Sequence, residues 1–332
     1  MKPSLTDIPV ALIFFTRPDL LQITFEAIRR AKPNKLFLIQ DGPRKANQTD
    51  LLNIGKCREI VSIIDWDCEV YKNYSEENLG CGMRVYSGIK WAFEYVDRLL
   101  VLEDDCVPAQ SLFPFTAELL ERYKNDDRIG IICGMNNLGI YDKTPNDYFY
   151  TTSGSIWGWA TWKRVWDTME YDLEFIEDNY STKIVYQTDS KLEGMGKFLL
   201  NNLQLGNRLT SWSFQLGMNI LLQSQLNIVP KYNLVTNIGM SENGANSVSS
   251  IQYMPKGLRS LYYMKTYTLN FPLKHPKYII NDLEFKQKLD RLMGNGYPII
   301  KFYRLMESII YRILGGDFSS IKKGFNRRLK IK

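Results

Sequence analysis

A chain of 332 residues, 45% hydrophobic and 23% charged, has the make-up of an ordinary globular protein and length for one large domain or two small ones. A single histidine (His275) argues against a Ser-His-Asp triad or a two-histidine metal site, and five cysteines without C-x-x-C spacing argue against a disulfide frame or zinc. Oxygen ligands remain, which favours Mg²⁺ or Mn²⁺ for any metal. The net charge of +6 belongs to the end of the chain, because residues 297–332 hold nine Lys/Arg against Glu307 and Asp317.

The first 135 residues alternate strand and helix patterns. PVALIFF (9–15) is a continuous apolar run, the pattern of a strand buried on both faces. The N-terminus lacks a small-residue cleavage site, so a strand is expected there and not a signal peptide, with the protein in the cytoplasm. Residues 19–31 follow with helical spacing and Asp19 as the expected cap. KLFLIQ (35–40) is the next strand and stops at the turn Asp41-Gly42-Pro43. Residues 50–64 predict a helix, 68–73 a short strand, and 83–97 a helix with Val85, Ile89, Phe93 and Val96 on one stripe. RLLVLE (98–103) is the fourth strand, 109–124 a helix, and DRIGIICGM (127–135) the fifth strand.

This spacing predicts right-handed crossovers and a mainly parallel sheet flanked by helices, an α/β Rossmann-like fold. Ligands of such sheets bind beyond the carboxyl ends of the strands. The polar residues there are Thr16-Arg17, Asp41, Lys72-Asn73 and Glu103-Asp104-Asp105. The later part is less regular: SGSIWGWATWKRVW (153–166), a linker-like acidic stretch (170–193), a helix at about 213–225, and the polar loop 240–250. Two amphipathic patterns, 282–294 and 298–316, precede the basic end.

Three carboxylates at the end of a buried strand repel one another. A divalent cation would relieve that repulsion, and a diphosphate would complete its oxygen shell. Side-chain alternation puts Glu103 and Asp105 on one side and Asp104 on the other. A solvated turn is the competing reading. Arg17 can pair with phosphate or stack on a base, and Asp41 can accept hydrogen bonds from a ribose or base, so with the acids they outline a nucleotide site.

The stretches FFTRPD (14–19), LIQDGPR (38–44), ENLGCGMRVYSGIKWAFE (77–94), LEDDCVP (102–108), DRIGIICGMN (127–136), IWGWATWKRVW (156–166), PKYNLVTNIG (230–239) and PLKHP (272–276) together resemble a known family. They are similar to the GT-A-fold, nucleotide-sugar-dependent glycosyltransferases of bacterial surface-polysaccharide type and, more distantly, to the N-acetylglucosaminyltransferase I group. The resemblance covers residues 14 to about 276. It implies a GT-A domain over 1–276, with a nucleotide-binding half (1–135) and an acceptor half (136–276), followed by amphipathic basic helices over 277–332. It further implies that Thr16, Arg17, Asp41 and Asn73 hold the nucleotide, that Glu103 and Asp104 contact ribose and bound water, and that Asp105 ligates Mn²⁺ or Mg²⁺ at the diphosphate of a UDP-sugar. Trp157, Trp159 and Trp212 would wall the sugar and acceptor pocket, with Trp162 and Trp166 divided between that wall and the core. The 240–250 loop resembles the segment that closes over the diphosphate.

Three positions depart from the family: Ser155 and Asn246 stand where a His is common, and Ser213 stands where Trp-Asp-aromatic-Gln carries its Asp. That Asp is the general base of an inverting transferase. The base is therefore open between Asp189, Glu193 and Glu242, or the enzyme retains configuration with Gln215 near the reacting face and the phosphate taking the proton. Loss of activity is a third possibility. The reading is a transferase moving a sugar onto a glycan or lipid-linked acceptor. A sugar nucleotidyltransferase is the alternative, though FFTRPDL is not the Gly-rich basic loop usual after its first strand, and a silent glycan-binding or scaffold protein is another. The amphipathic basic end fits an anionic membrane surface, on the inner face of the cytoplasmic membrane; nucleic acid is not expected, since the basic residues have no aromatic platform.

Overall fold

The structure of the chain, a computed structural model, describes residues 6–188, 190–204, 212–240 and 251–321. Strand β1 (Thr6–Phe14) is buried from Ile8 onward, as its unbroken apolar run requires of an interior strand. Only Phe15, Thr16 and Arg17 separate it from helix α1 (Pro18–Ala31). Asp19 is not the cap of that helix; Arg17 occupies the cap position without a side-chain bond, and Pro18, with no N–H to satisfy, opens the first turn.

Then follow β2 (Pro33–Gln40), α2 (Gln48–Val61), β3 (Glu69–Tyr74), α3 (Gly80–Ala92), β4 (Arg98–Glu103), β5 (Cys106–Pro108), α4 (Leu112–Arg122) and β6 (Ile129–Cys133). The later part holds β7 (Tyr148–Thr151), β8 (Trp159–Trp162), α5 (Lys163–Trp166), α6 (Asn179–Thr188), α7 (Ser190–Gln204), α8 (Ser213–Leu222), β9 (Leu226–Pro230), β10 (Val235–Asn237), α9 (Lys256–Arg259), α10 (Leu283–Met293) and α11 (Pro298–Leu314). Most of the acidic stretch expected to be a linker is thus helical.

One eight-stranded sheet runs β3-β2-β1-β4-β8-β6-β9-β7. It is mainly parallel, as expected; β8 pairs antiparallel with both β4 and β6, and β7 pairs antiparallel with β9 at the edge. Strand β6 therefore does not adjoin β4, because β8 lies between them. The two-stranded β5–β10 sheet sets Asn237 opposite Cys106, next to the acid triplet. The C-terminal helices are tied on through Asp282, which caps α10 by accepting from Phe285 N at 2.9 Å, and through the fully buried Phe285 ring against Phe149. The lone histidine is structural: Tyr148 Oη lies 2.9 Å from His275 Nδ1, and His275 Nε2 lies 3.0 Å from Glu118.

Candidate functional site

Parallel pairing of β3, β2, β1 and β4 brings their carboxyl ends to one edge, with Ile13 level with Glu103 and Ile39 level with Asn73. A cavity of about 320 Å³ opens there. Arg17, Arg44, Arg84, Asp41, Glu103, Asp104 and the Cys81 thiol supply its ionisable lining, with Ile13, Phe14, Phe15 and Val85 as apolar wall. Thr16 is on the β1–α1 link but is not among the lining residues.

The acid triplet divides its work. Asp104 is buried and turned into the protein. Its N–H donates to Ile13 O (3.0 Å), its carbonyl accepts from Thr24 Oγ1 (2.9 Å), and its carboxylate pairs with Arg17 and accepts from Phe15 N at 3.4 Å. These bonds fix the β1–α1 link and Arg17. Arg17 Nη1 also lies 2.8 Å from Asp105 Oδ2, so one guanidinium bridges two acids. Burial opposes its charge, yet Asp104 and Asp105 outweigh that and raise its pKa above the ordinary value. Burial and the two neighbouring acids push Glu103 up to about 8, and burial with Asp105 nearby pushes Asp104 to about 6 against the pull of Arg17. In the ligand-free protein at neutral pH, Glu103 can therefore donate a hydrogen bond as well as accept one.

Asp41 differs from its expected role. Its Oδ1 accepts from Gly42 N (2.9 Å) and Leu79 N (2.9 Å), and its Oδ2 accepts from Gly80 N (3.0 Å) and Asn78 Nδ2 (3.1 Å). A carboxylate has about four acceptor directions, and all are taken. Since α3 has no side-chain cap of its own, Asp41 serves the orphan amides of its first turn from a neighbouring strand. The fit is close: a Cβ on Gly42 would lie 2.5 Å from the carbonyl carbon of Glu77. Asn73 is likewise a positioning group, accepting from Arg84 Nη2 on its carbonyl (2.5 Å) and on Oδ1 (2.8 Å).

Arg84 is the residue the sequence reading missed. Only 4% exposed, it lines the cavity, and its buried Nε has no hydrogen-bond partner among the described residues. Burial lowers its pKa. A signal was present, since Arg84 falls in the first helical turn after ENLG, where the chain returns to the strand ends.

Asp105 stands at the edge of this cavity and meets β10. Its carbonyl accepts from Ile238 N (2.9 Å), and Asn237 Nδ2 lies 3.3 Å from its Oδ1. A Cβ on Gly239 would lie 2.2 Å from Asp105 Oδ2, so glycine keeps the space over that carboxylate open. Among the described residues no group of three or more His, Cys, Asp or Glu side chains gathers to hold a metal.

In the other half, a second cavity of about 820 Å³ lies between the 152–157 link, α8 and α10. Trp157 lines it, with its ring centroid 5.0 Å from that of Tyr262, and Tyr262 is bridged to Asn237 beside Asp105. Ser213 and Ser155 also line it. Trp159 and Trp212 do not. They are buried and stacked on each other at 5.5 Å, with Trp166 at 6.0 Å from Trp159, in one aromatic cluster of the core. Trp162 is core as well, its indole N–H donating to Leu120 O at 3.0 Å. Gln215 turns away from the cavity and donates to Tyr171 O at 3.2 Å. Glu193 is exposed on α7 and paired with Lys197 at 2.6 Å, outside either cavity. Asp189, Glu242 and Asn246, and the 240–250 loop beyond Met240, lie outside the described residues.

No protein-family model matches the chain, and no curated protein matches it. Some solved structures are slightly similar. A UDP-glucose pyrophosphorylase complexed with UDP-glucose aligns at a TM-score of 0.35 and 8% identity, over 68% of this chain and 91% of that one. The 4-diphosphocytidyl-2C-methyl-D-erythritol synthase of Anaerococcus prevotii aligns at 0.31 and 17% identity, over 50% and 74%. The inositol-1-phosphate CTP transferase of T. maritima aligns at 0.30 and 10% identity, over 49% and 74%. None of the three is described as a glycosyltransferase, and likeness at these scores carries no argument about activity.

Proposed function

We propose that the chain is a nucleotide-sugar-dependent glycosyltransferase, with a UDP-sugar as donor and a glycan or lipid-linked oligosaccharide as acceptor. One observation carries the reading: a continuous series of contacts, Arg17 to Asp105, Asn237, Tyr262 and Trp157, runs from the lining of the charged cavity of about 320 Å³ to that of the larger, apolar-walled one of about 820 Å³. A donor in the first and an acceptor in the second would bring sugar and acceptor hydroxyl together there. Arg17 and Arg84 would pair with the nucleotide, and Glu103 would donate to it. Asp105 would hold Mn²⁺ or Mg²⁺, which when bound supplies Lewis-acid stabilisation of the leaving diphosphate. Trp157 would stack on a sugar ring.

The second reading is a sugar nucleotidyltransferase. The printed activities of the solved structures fall on its side, though so slight a likeness gives them no weight. Against it stands the three-residue β1–α1 link, Phe15-Thr16-Arg17, which has no glycine and little backbone with which to cradle a triphosphate. Phosphorus NMR of the protein with Mg²⁺, a panel of UDP-sugars and pyrophosphate separates the two. UDP as product supports glycosyl transfer or donor hydrolysis. UTP with a sugar phosphate overturns it for nucleotidyl transfer, and absence of nucleotide binding overturns both.

A further inference from the structure

Helix α11 sits on the body with its faces exchanged relative to an ordinary globular helix. Its polar side makes the contacts: Lys256 N donates to Glu307 at 3.1 Å, Ser308 Oγ donates to Tyr253 O at 3.0 Å, and Arg304 donates to Leu292 O. The Arg259 and Arg312 guanidinium groups lie 5.1 Å from the Tyr311 and Tyr253 rings. None of the 17 residues of α11 is buried. Ile299, Phe302, Tyr303, Ile310, Ile313 and Leu314 stand 49–80% exposed. At 100° per residue they fall within one arc of about 120°, the width of a stripe that a globular helix turns to its core.

We propose that this face lies in the headgroup region of an anionic lipid surface and holds the protein there. The chain after Ile321 is the reason for choosing lipid. Residues 322–332 hold six Lys/Arg and no acid. An apolar helical face followed in the chain by a run of positive charge suits an anionic bilayer, whereas a second copy would bring up an equally basic segment and be repelled. No helix among the described residues is long and apolar enough to cross a membrane, so docking in the plane is the mode that fits. Because Arg304 grips the end of α10, the helix that lines the larger cavity stays close to the lipid. The proposal holds whichever sugar chemistry the site performs.

Sedimentation of the full chain with phosphatidylcholine vesicles, with and without phosphatidylglycerol, tests it. The protein is expected to pellet with the anionic vesicles and to be released by high salt, since each Lys/Arg near the surface contributes about five-fold to partitioning. Phe302→Asp with Ile310→Asp is expected to weaken binding by roughly ten-fold or more. The thermal unfolding midpoint should hold, because both side chains are exposed; Leu314→Asp repeats the test at a separate position. Three results overturn the proposal: no binding to anionic vesicles, binding undiminished by these substitutions, or a dimer by light scattering that the substitutions dissociate.

Discussion

Asp41→Ala is the substitution that separates a positioning carboxylate from a ligand-binding one. It removes acceptors for four donors held at 2.9, 2.9, 3.0 and 3.1 Å. Hydrogen bonds to a charged group are each worth about 1.5–3 kcal/mol. The sum overstates the loss, because the 78–80 turn is half-buried and water can reach its freed amides, and because the buried charge itself no longer costs anything. A loss of about 2–4 kcal/mol is expected. Asp41→Asn keeps one oxygen for Gly42 and Leu79 but turns its amide donors toward Gly80 N and Asn78, so about half that loss is expected. Urea unfolding followed by circular dichroism, with no nucleotide present, reads both. Nucleotide affinity should fall only as the turn that carries Arg84 loosens. An Asp41→Ala protein of wild-type stability that no longer binds nucleotide would refute the positioning role and restore the ligand role.

Asp105→Ala should abolish any Mn²⁺-dependent rise in the unfolding temperature with UDP present; a rise that survives would place the cation elsewhere. In EDTA, the pH dependence should carry the mark of Glu103. Its folded pKa of about 8 lies above the ordinary carboxylate value, so the folded chain binds the extra proton and stability is fully present below the unfolded pKa near 4.5 and lost as pH rises toward 8. The slope is at most about 1.4 kcal/mol per pH unit. Glu103→Gln should flatten it above about pH 6, where Asp104 no longer contributes, and leave the protein more stable than wild type at pH 8; parallel curves for the two proteins there would rule that proton out. Trp159→Ala, a core deletion, should cost about 3–5 kcal/mol. Trp157→Ala should cost under half of that and lower transfer activity instead; equal stability losses would contradict the division between core and cavity wall.

The sheet was legible because its signals are local. Continuous apolar runs mark β1, β2 and β4, and turn residues follow each of them, so the parallel order and the shared edge could be predicted. The position of β8 was hidden, since four residues inserted between β4 and β6 leave no periodic trace and their pairing is entirely non-local. Trp159, expected from the resemblance in the pocket wall, is instead packed on Trp166 and Trp212, contacts that are non-local in the sequence. Asp41, Asn73 and Asp104 lie at the expected edge, and the protein partners they bond there were not legible in the sequence. A sequence shows that a carboxylate reaches a strand end, but not which backbone amides are aimed at it. Arg84 was missed for the converse reason, since a helical arginine usually points to solvent.

The crowded acids are intelligible from their surroundings. Asp104 is buried against Arg17 and the Phe15 amide, so it shapes the site by holding them. Arg17 spends part of its charge on Asp105 as well. That pairing sets the order of events on which the proposed activity depends. A divalent cation at Asp105 must compete with the guanidinium, and a diphosphate arriving with the cation gives Arg17 a new anion in exchange. Cation and diphosphate should therefore bind together more tightly than either does alone, because each relieves the charge that the other displaces. A lone nucleoside offers no such exchange. On the proposed activity, the triplet would supply one fixed acid, one proton-bearing acid and one acid that changes partners, with Arg17 holding their repulsion in check in the ligand-free protein.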